Sequence, residues 1–404
     1  MKIVVLKFGG TSVGTVDRIK KVANIIIGYV KKNYRIIVVS SAMSGVTNDL
    51  IKKSKKISNN FISSEYDTLV SSGEQMSCAL IAGRLNHLGY KSQSWMGWQV
   101  PILTEGNYSS SRIIQIYKKK INKFLQSGGI PVIAGFQGIN LNKRITTLGR
   151  GGSDATGIMC AKFFKAQECI IYTDVDGVYT TDPKTLKKAK KIKIISYEEM
   201  LEMASLGAKV MQPTSIQDAR LNRINIDVKS SFVNKSGTLI TKRKNIFNNK
   251  TVTGLTSTKN DAKVTLVGVK DKPGVAASVF KPLSQNYINI DMVVQTSSGN
   301  RKETDITFTI KSEDLLKTLR LIKKNKKIKF RDLIVNKNVS KVSIIGVGMI
   351  TTPGVTYRMF QTLANKRINI LVISTSEIKI SVLIEKKFVK KAISALHKEF
   401  KLEK

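Results

Sequence analysis

The sequence predicts an α/β protein: one large domain on a mostly parallel, open sheet, then two smaller copies of a βαββαβ unit. Three observations lead there. Over roughly the first 240 residues, short apolar runs alternate with amphipathic segments, the pattern of a parallel sheet covered by helices. Each run empties into a loop carrying Gly, Ser, Thr or Asp. That gathers polar groups at the carboxyl ends of the strands, where open α/β sheets bind ligands. Further on, the chain repeats itself at an offset of about 80 residues, too few copies for a solenoid.

The expected strands are Ile3–Leu6, Ile36–Ser40, Ile130–Gly135 and Cys169–Thr173, with helices over Arg18–Lys31 and Glu74–Leu88 between them. Thr241–Lys250 is polar and basic without periodicity and reads as a boundary. After it, Lys263-Val-Thr-Leu-Val-Gly-Val is echoed from Lys341, Lys272-Pro-Gly-Val by Thr352-Pro-Gly-Val, and Ile288-Asn-Ile by Ile368-Asn-Ile. Each copy reads strand, Pro-Gly turn opening a helix, then a strand after the Asn. The expected domains are 1–245, 260–338 and 339–404.

At 404 residues each domain has room for a core, and an apolar fraction of 42% with seven prolines is ordinary for a globular chain. No apolar run is long enough for a membrane span, and Lys2 and Lys7 bracket too short a run for a signal peptide, so the chain is expected in the cytoplasm. Cys78, Cys160 and Cys169 form no C-x-x-C pair and are expected as free thiols; with His87 and His397 they make no zinc spacing. The net charge of +40 invites a nucleic-acid reading. Against it, the lysines are dispersed and alternate with Ile and Asn, and no nucleic-acid motif is present, so a coding bias explains the excess more simply. The charge still favours encounter with anionic ligands such as nucleotides.

The chemistry lies in the loops. Lys7-Phe8-Gly9-Gly10-Thr11 puts a lysine ahead of a glycine pair, the reverse of a P-loop. Either the glycines let backbone approach a phosphate, with a following helix offering free N–H groups and Lys7 neutralising charge during transfer, or they serve only the geometry of a strand–turn–helix junction. Val38 to Thr47 runs into hydroxyls, Ser41 among them, which either hold a small polar ligand or cap the next helix. Glu74, in Ser-Ser-Gly-Glu-Gln, is either a solvated first-turn acid or a carboxylate turned inward to bind an ammonium group. Leu148-Gly149-Arg150-Gly151-Gly152-Ser153-Asp154 is the strongest local signal. Arginine grips a carboxylate through two parallel bonds, and Asp154 orients either a lysine or a metal. Tyr172 to Lys184 mixes aromatic, hydroxyl and acidic groups suited to adenine and ribose and fails the EF-hand pattern.

In this order the loops resemble the aspartokinases of the amino-acid kinase superfamily. The matching stretches are KFGGTSVG, VVSSAMSGVTNDL, SSGEQMS, GWQ at Gly97–Gln99, GIPVIAGFQG, ITTLGRGGSD, YTDVDGVYTTDP, ASLGAKVMQP and the two Pro-Gly repeats. The resemblance implies a three-layer αβα kinase domain followed by two ferredoxin-like ACT domains. It implies transfer of the ATP γ-phosphoryl group, with Mg2+, to the side-chain carboxylate of L-aspartate, the first step toward lysine, threonine, methionine and diaminopimelate. That acceptor is already ionised near neutral pH, so no general base is needed. The implied catalytic residues are Lys7 and Asp154, and no side-chain metal site is implied. The implied aspartate positions are Ser41, Thr47, Glu74 (ammonium), Arg150 (α-carboxylate), Gly151, Gly152 and Ser153. ATP falls to Lys7, Phe8, Gly9, Gly10, Thr173, Asp174, Tyr179, Lys184, Lys209 and Val210. Lys184 and Thr214 stand where relatives usually carry Arg, and Ala155 and Gly157 depart from Gly-Ser-Asp-Thr-Thr-Ala. Lys7→Ala is expected to depress turnover with little effect on folding.

The ACT pair implies a homodimer or larger oligomer and feedback binding of lysine, threonine or both. Implied effector positions are Asp271, Pro273, Gly274, Val275, Asn289, Ile290, Asp291 and Gln295 in the first copy. In the second they are Pro353, Gly354, Asn369 and Ile370. A Pro-Gly helix start suits an α-carboxylate and Asp291 an ammonium; Leu371 replaces that acid in the second copy, so the copies are not equivalent. Rival readings are another amino-acid kinase such as a glutamate 5-kinase, a catalytically silent ACT sensor, and a nucleic-acid binder.

Overall fold

The structure, a computed structural model, describes residues 2–208, 210–242, 250–297, 303–325 and 328–403. The chain forms two compact units: Met1–Tyr179 with Lys191–Asn248, and Thr180–Lys190 with Asn249–Lys404. The basic run at 241–250 lies mostly outside the described residues.

The first unit is built on an eight-stranded sheet, ordered Ile194–Ser196, Thr238–Thr241, Ile226–Ser230, Cys169–Thr173, Ile3–Phe8, Arg35–Ser40, Ile130–Ala134, Ser92–Trp95. The last six run parallel, and the first two run against them. The four strands expected from apolar runs are four consecutive interior strands, the fourth to the seventh in this order, covered on both faces and therefore continuously apolar. On one face Val4, Leu6 and Phe8 pack with Ile19, Val22 and Ile26 of helix Val16–Val30 and with Ile81 and Leu85 of helix Ser72–His87. A second sheet, ordered Arg112–Ile116, Ile102–Glu105, Gln137–Ile139, Ile145–Thr147, was not expected. Its last two strands are three residues each, too short to carry periodicity.

The second unit holds the two repeats in one continuous sheet, ordered Ile290–Ser297, Glu303–Lys311, Asp261–Lys270, Asp332–Ile345, Lys379–Glu385, Val372–Ser376. Helices Val275–Gln285 and Val355–Asn365 start at the expected Pro-Gly turns, capped by Gly274 (φ 87°) and Gly354 (φ 81°), left-handed positions that suit glycine. The repeats are not simply consecutive. Asp332–Ile345 serves both, and the fourth strand of the second copy is Gly254–Ser257, which precedes the first copy and pairs with residues 342–345. A boundary at 338/339 therefore cuts a shared strand. Thr180–Lys190 also belongs to this unit: Leu186 packs against the core cluster that includes Leu255, Val355 and Leu396, and the Thr180 hydroxyl lies 2.9 Å from His397 Nε2.

Candidate active site

Strand alternation decides where Lys7 points. With Val4, Leu6 and Phe8 facing one core, Lys7 faces the other side, toward helix Gly152–Phe163. There its Nζ is ion-paired with Asp154, and the two residues are only 6% and 8% exposed. One turn along that helix, Gly157 makes room for the lysine: an added Cβ would lie 3.2 Å from Lys7 Cβ. Gly10 has a comparable role, since a Cβ there would meet Ala42 O at 2.9 Å, and its carbonyl accepts the Ser44 N–H at 3.2 Å. Gly9 N–H is held by Tyr172 O at 2.9 Å, and Phe8 stacks on Tyr172.

The loop after Ser40 is fixed by hydroxyls. Ser77 Oγ donates to Ser41 O at 2.7 Å and accepts from Ser40 Oγ at 3.0 Å, while the Ser41 and Ser153 hydroxyls meet at 2.7 Å. Gly135 permits that approach, because its Cβ would stand 2.7 Å from Ser153 Cβ. These hydroxyls do not cap the next helix, Val46–Ile57, which starts at left-handed Gly45 without a side-chain cap; Thr47 is half-buried in its first turn. Ser77 and Gly135 have no signal in the sequence, being a small polar residue on a helix and a glycine at a strand end.

Glu74 is buried in the first turn of helix Ser72–His87, not solvated. Its Oε1 accepts the Ala42 N–H at 3.1 Å, and Oε2 is buried without a partner. Burial pushes its pKa up to about 7, against the opposing pull of that hydrogen bond and of nearby Lys7. An orphan carboxylate oxygen beside Lys7 and the Ser41 loop suits an incoming ammonium donor. Gly151 (φ 75°) opens the helix that carries Ser153 and Asp154, with Gly152 its first residue, and Arg150 stands exposed at the lip of this turn.

The expected nucleotide residues are placed unevenly. The Thr173 hydroxyl donates to Asp174 at 3.0 Å. Tyr179 donates its phenol proton to Asp176 at 2.8 Å, and Lys191 bonds the same carboxylate at 3.1 Å. Lys184 lies in the segment that joins the second unit, its N–H bonded to Asp182 at 2.9 Å. Val210 is half-buried in a turn, and Lys209 lies outside the described residues.

In the second unit, Asp271, Pro273, Gly274, Val275 and Gln295 line one open depression of about 610 Å³. Asn289 is exposed and Ile290 half-buried, outside that lining. Asp291, expected to await an effector ammonium, is instead ion-paired with buried Lys341. Its counterpart Leu371 packs against the cluster formed by Met292, Val339, Val372 and Leu383. Pro353 and Gly354 are exposed at the second helix start, while Asn369, exposed, and Ile370, half-buried, lie beyond the end of that helix.

Comparison with known proteins agrees with this geometry. The amino acid kinase family model matches residues 2–230, and an ACT domain model matches 264–325 and 342–400. An aspartate kinase of Stutzerimonas stutzeri is 44% identical over 405 residues, spanning 100% of this chain and 98% of the relative. The aspartokinase of Pseudomonas aeruginosa is also 44% identical, with the same coverage. Among solved structures, Escherichia coli aspartokinase III with aspartate and ADP matches at TM-score 0.80 and 26% identity, over 98% of this chain and 99% of that one. The same enzyme with lysine and aspartate matches at TM-score 0.82 and 26% identity, over 99% and 100%. With fold, loop order and full-length identity in agreement, the chain belongs to the aspartokinase family, amino-acid kinases with a tandem ACT pair.

Proposed function

We propose that Lys7, Asp154, Glu74, Arg150 and Ser153 form the centre at which this aspartate kinase phosphorylates its substrate. The activity is ATP-dependent transfer to aspartate, with regulation through the ACT pair. In the proposed arrangement Glu74 takes the α-ammonium on its free oxygen, Arg150 takes the α-carboxylate in a two-bond fork, and the Ser41–Ser153 hydroxyl pair and Thr47 line the space between. An oxygen of the side-chain carboxylate attacks the γ-phosphorus; that O–P bond forms as the bond to the ADP bridging oxygen breaks. No proton moves, so the residues act by alignment and charge. Lys7, held by Asp154, neutralises charge on the migrating group, while Phe8, Gly9 and Gly10 bring backbone close to phosphate.

Thr173, Asp174, Tyr179, Lys184, Lys209 and Val210 serve the nucleotide. Among the described residues no three His, Cys, Asp or Glu side chains cluster as a metal cage. Mg2+ would be held mainly by the nucleotide phosphates and water, where it would screen phosphate charge. The depression at Asp271–Gln295 takes a pathway amino acid, lysine or threonine, and the ACT pair carries a homodimer or larger assembly. The observation that carries the reading is the buried Lys7–Asp154 pair beside a buried glutamate with an unused oxygen. Aspartate-dependent ADP release, run against glutamate and with lysine and threonine added, tests it. Activity on glutamate but not aspartate would overturn it.

A further inference from the structure

The two ends of the amino-acid site are joined by a group that no loop motif announces. Asp67, in helix Ser63–Val70, is fully buried. It accepts four hydrogen bonds from two residues, each giving both its N–H and its hydroxyl. Oδ2 takes the N–H of Ser109 at 2.9 Å and of Thr147 at 2.7 Å. Oδ1 takes their hydroxyls at 2.8 and 2.9 Å. Both N–H groups meet one oxygen and both hydroxyls the other. An amide could answer them only by turning its NH2 to hydroxyls that must then accept, with loss of the charge that strengthens all four bonds.

Both held residues adjoin the turn bearing Arg150. Thr147 leads into it. Ser109 lies against it, because a Cβ on Gly149 would meet Ser109 O at 3.0 Å, and Ser111 N–H bonds Thr147 O at 3.0 Å. Gly149 O then closes the turn by accepting the Gly152 N–H at 3.0 Å. On the other side, Asp67 O accepts the Ser71 N–H at 3.1 Å, immediately ahead of the helix that presents Glu74. One buried residue, by its side chain on one side and its main chain on the other, thus ties the carrier of the guanidinium to the carrier of the carboxylate.

We propose that Asp67 is a positioning residue for aspartate binding, setting the Arg150 turn relative to Glu74. This rests on the assignment of Arg150 and Glu74 to the two poles of the amino acid. The test is aspartate and ATP kinetics, with thermal unfolding alongside, for Asp67→Asn, Thr147→Val, Arg150→Ala and the Asp67→Asn/Arg150→Ala pair in the full chain. Asp67→Asn should raise the KM for aspartate about tenfold, leaving the KM for ATP unchanged and kcat within about twofold. Thr147→Val, which keeps its N–H bond and its volume, should raise the aspartate KM by a smaller factor, and it decides the matter if Asp67→Asn does not fold. The double variant should be no worse for aspartate than Arg150→Ala alone. Equal rises in both KM values, a lowered unfolding temperature with unaltered KM, or multiplicative effects in the pair would overturn the proposal. If Arg150→Ala leaves the aspartate KM unchanged, the two-pole assignment fails. A rise confined to Asp67→Asn would then show that it does not act through Arg150.

Discussion

Raising the pH from about 6 to about 8 should lower the KM for aspartate about tenfold while kcat stays nearly level. The cause is Glu74, whose burial raises its pKa to about 7. A protonated Glu74 is neutral and does not pair with the substrate ammonium. One unit below its pKa about one-tenth of the free enzyme carries the carboxylate, and one unit above about nine-tenths, hence the tenfold span. Once aspartate is bound, its ammonium favours the ionised form, so saturated enzyme does not show the same step. The assay is coupled ADP release across pH, because kcat/KM reports ionisations of the free enzyme. Stability should move the opposite way. A carboxyl with a raised folded pKa contributes stability that is full below its ordinary value near 4.5 and is lost as pH rises through about 7. Glu74→Gln should flatten both profiles. A level kcat/KM from pH about 6 to about 8, or a slope that survives Glu74→Gln, would refute the reasoning.

Lys7→Met should lower kcat by about 100-fold or more, read by ADP release. It should also destabilise the fold by about 3 kcal/mol, because it strands buried Asp154, so the expectation of little effect on folding does not survive the structure. Pairing it with Asp154→Asn should restore the unfolding temperature but not turnover. Gly135→Ala should raise the aspartate KM and cost about 1–3 kcal/mol by forcing Ser153 from Ser41, measured by kinetics and denaturant unfolding. Gly274→Ala, placed at φ 87° in the proposed effector depression, should raise the effector concentration needed for half-inhibition, measured by titrating lysine or threonine into the assay.

The legible parts were those written in neighbouring residues. The four central strands read as apolar runs because they are covered on both faces, and the Pro-Gly helix starts because only glycine takes that backbone angle easily. The resemblance implies that Asp154 organises Lys7, and the structure supplies the physical reason they meet: strand alternation turns Lys7 toward a helix roughly 150 residues later. Asp67 carries no signal in its own stretch of sequence, because its partners lie 42 and 80 positions away, in a loop and a three-residue strand with no pattern of their own. The crossing of Gly254–Ser257 into the second repeat was hidden for the same reason: internal repetition shows that two units exist, not which piece of chain completes each.

That crossing has a consequence for assembly and engineering. The strand made first waits without this partner until residues almost ninety positions downstream have been synthesised, so this part of the regulatory half closes late. A truncation after the first repeat would leave Gly254–Ser257 without its partner. An exchange of sensor modules between related enzymes would keep its hydrogen-bond ladder only if the cut fell ahead of Gly254.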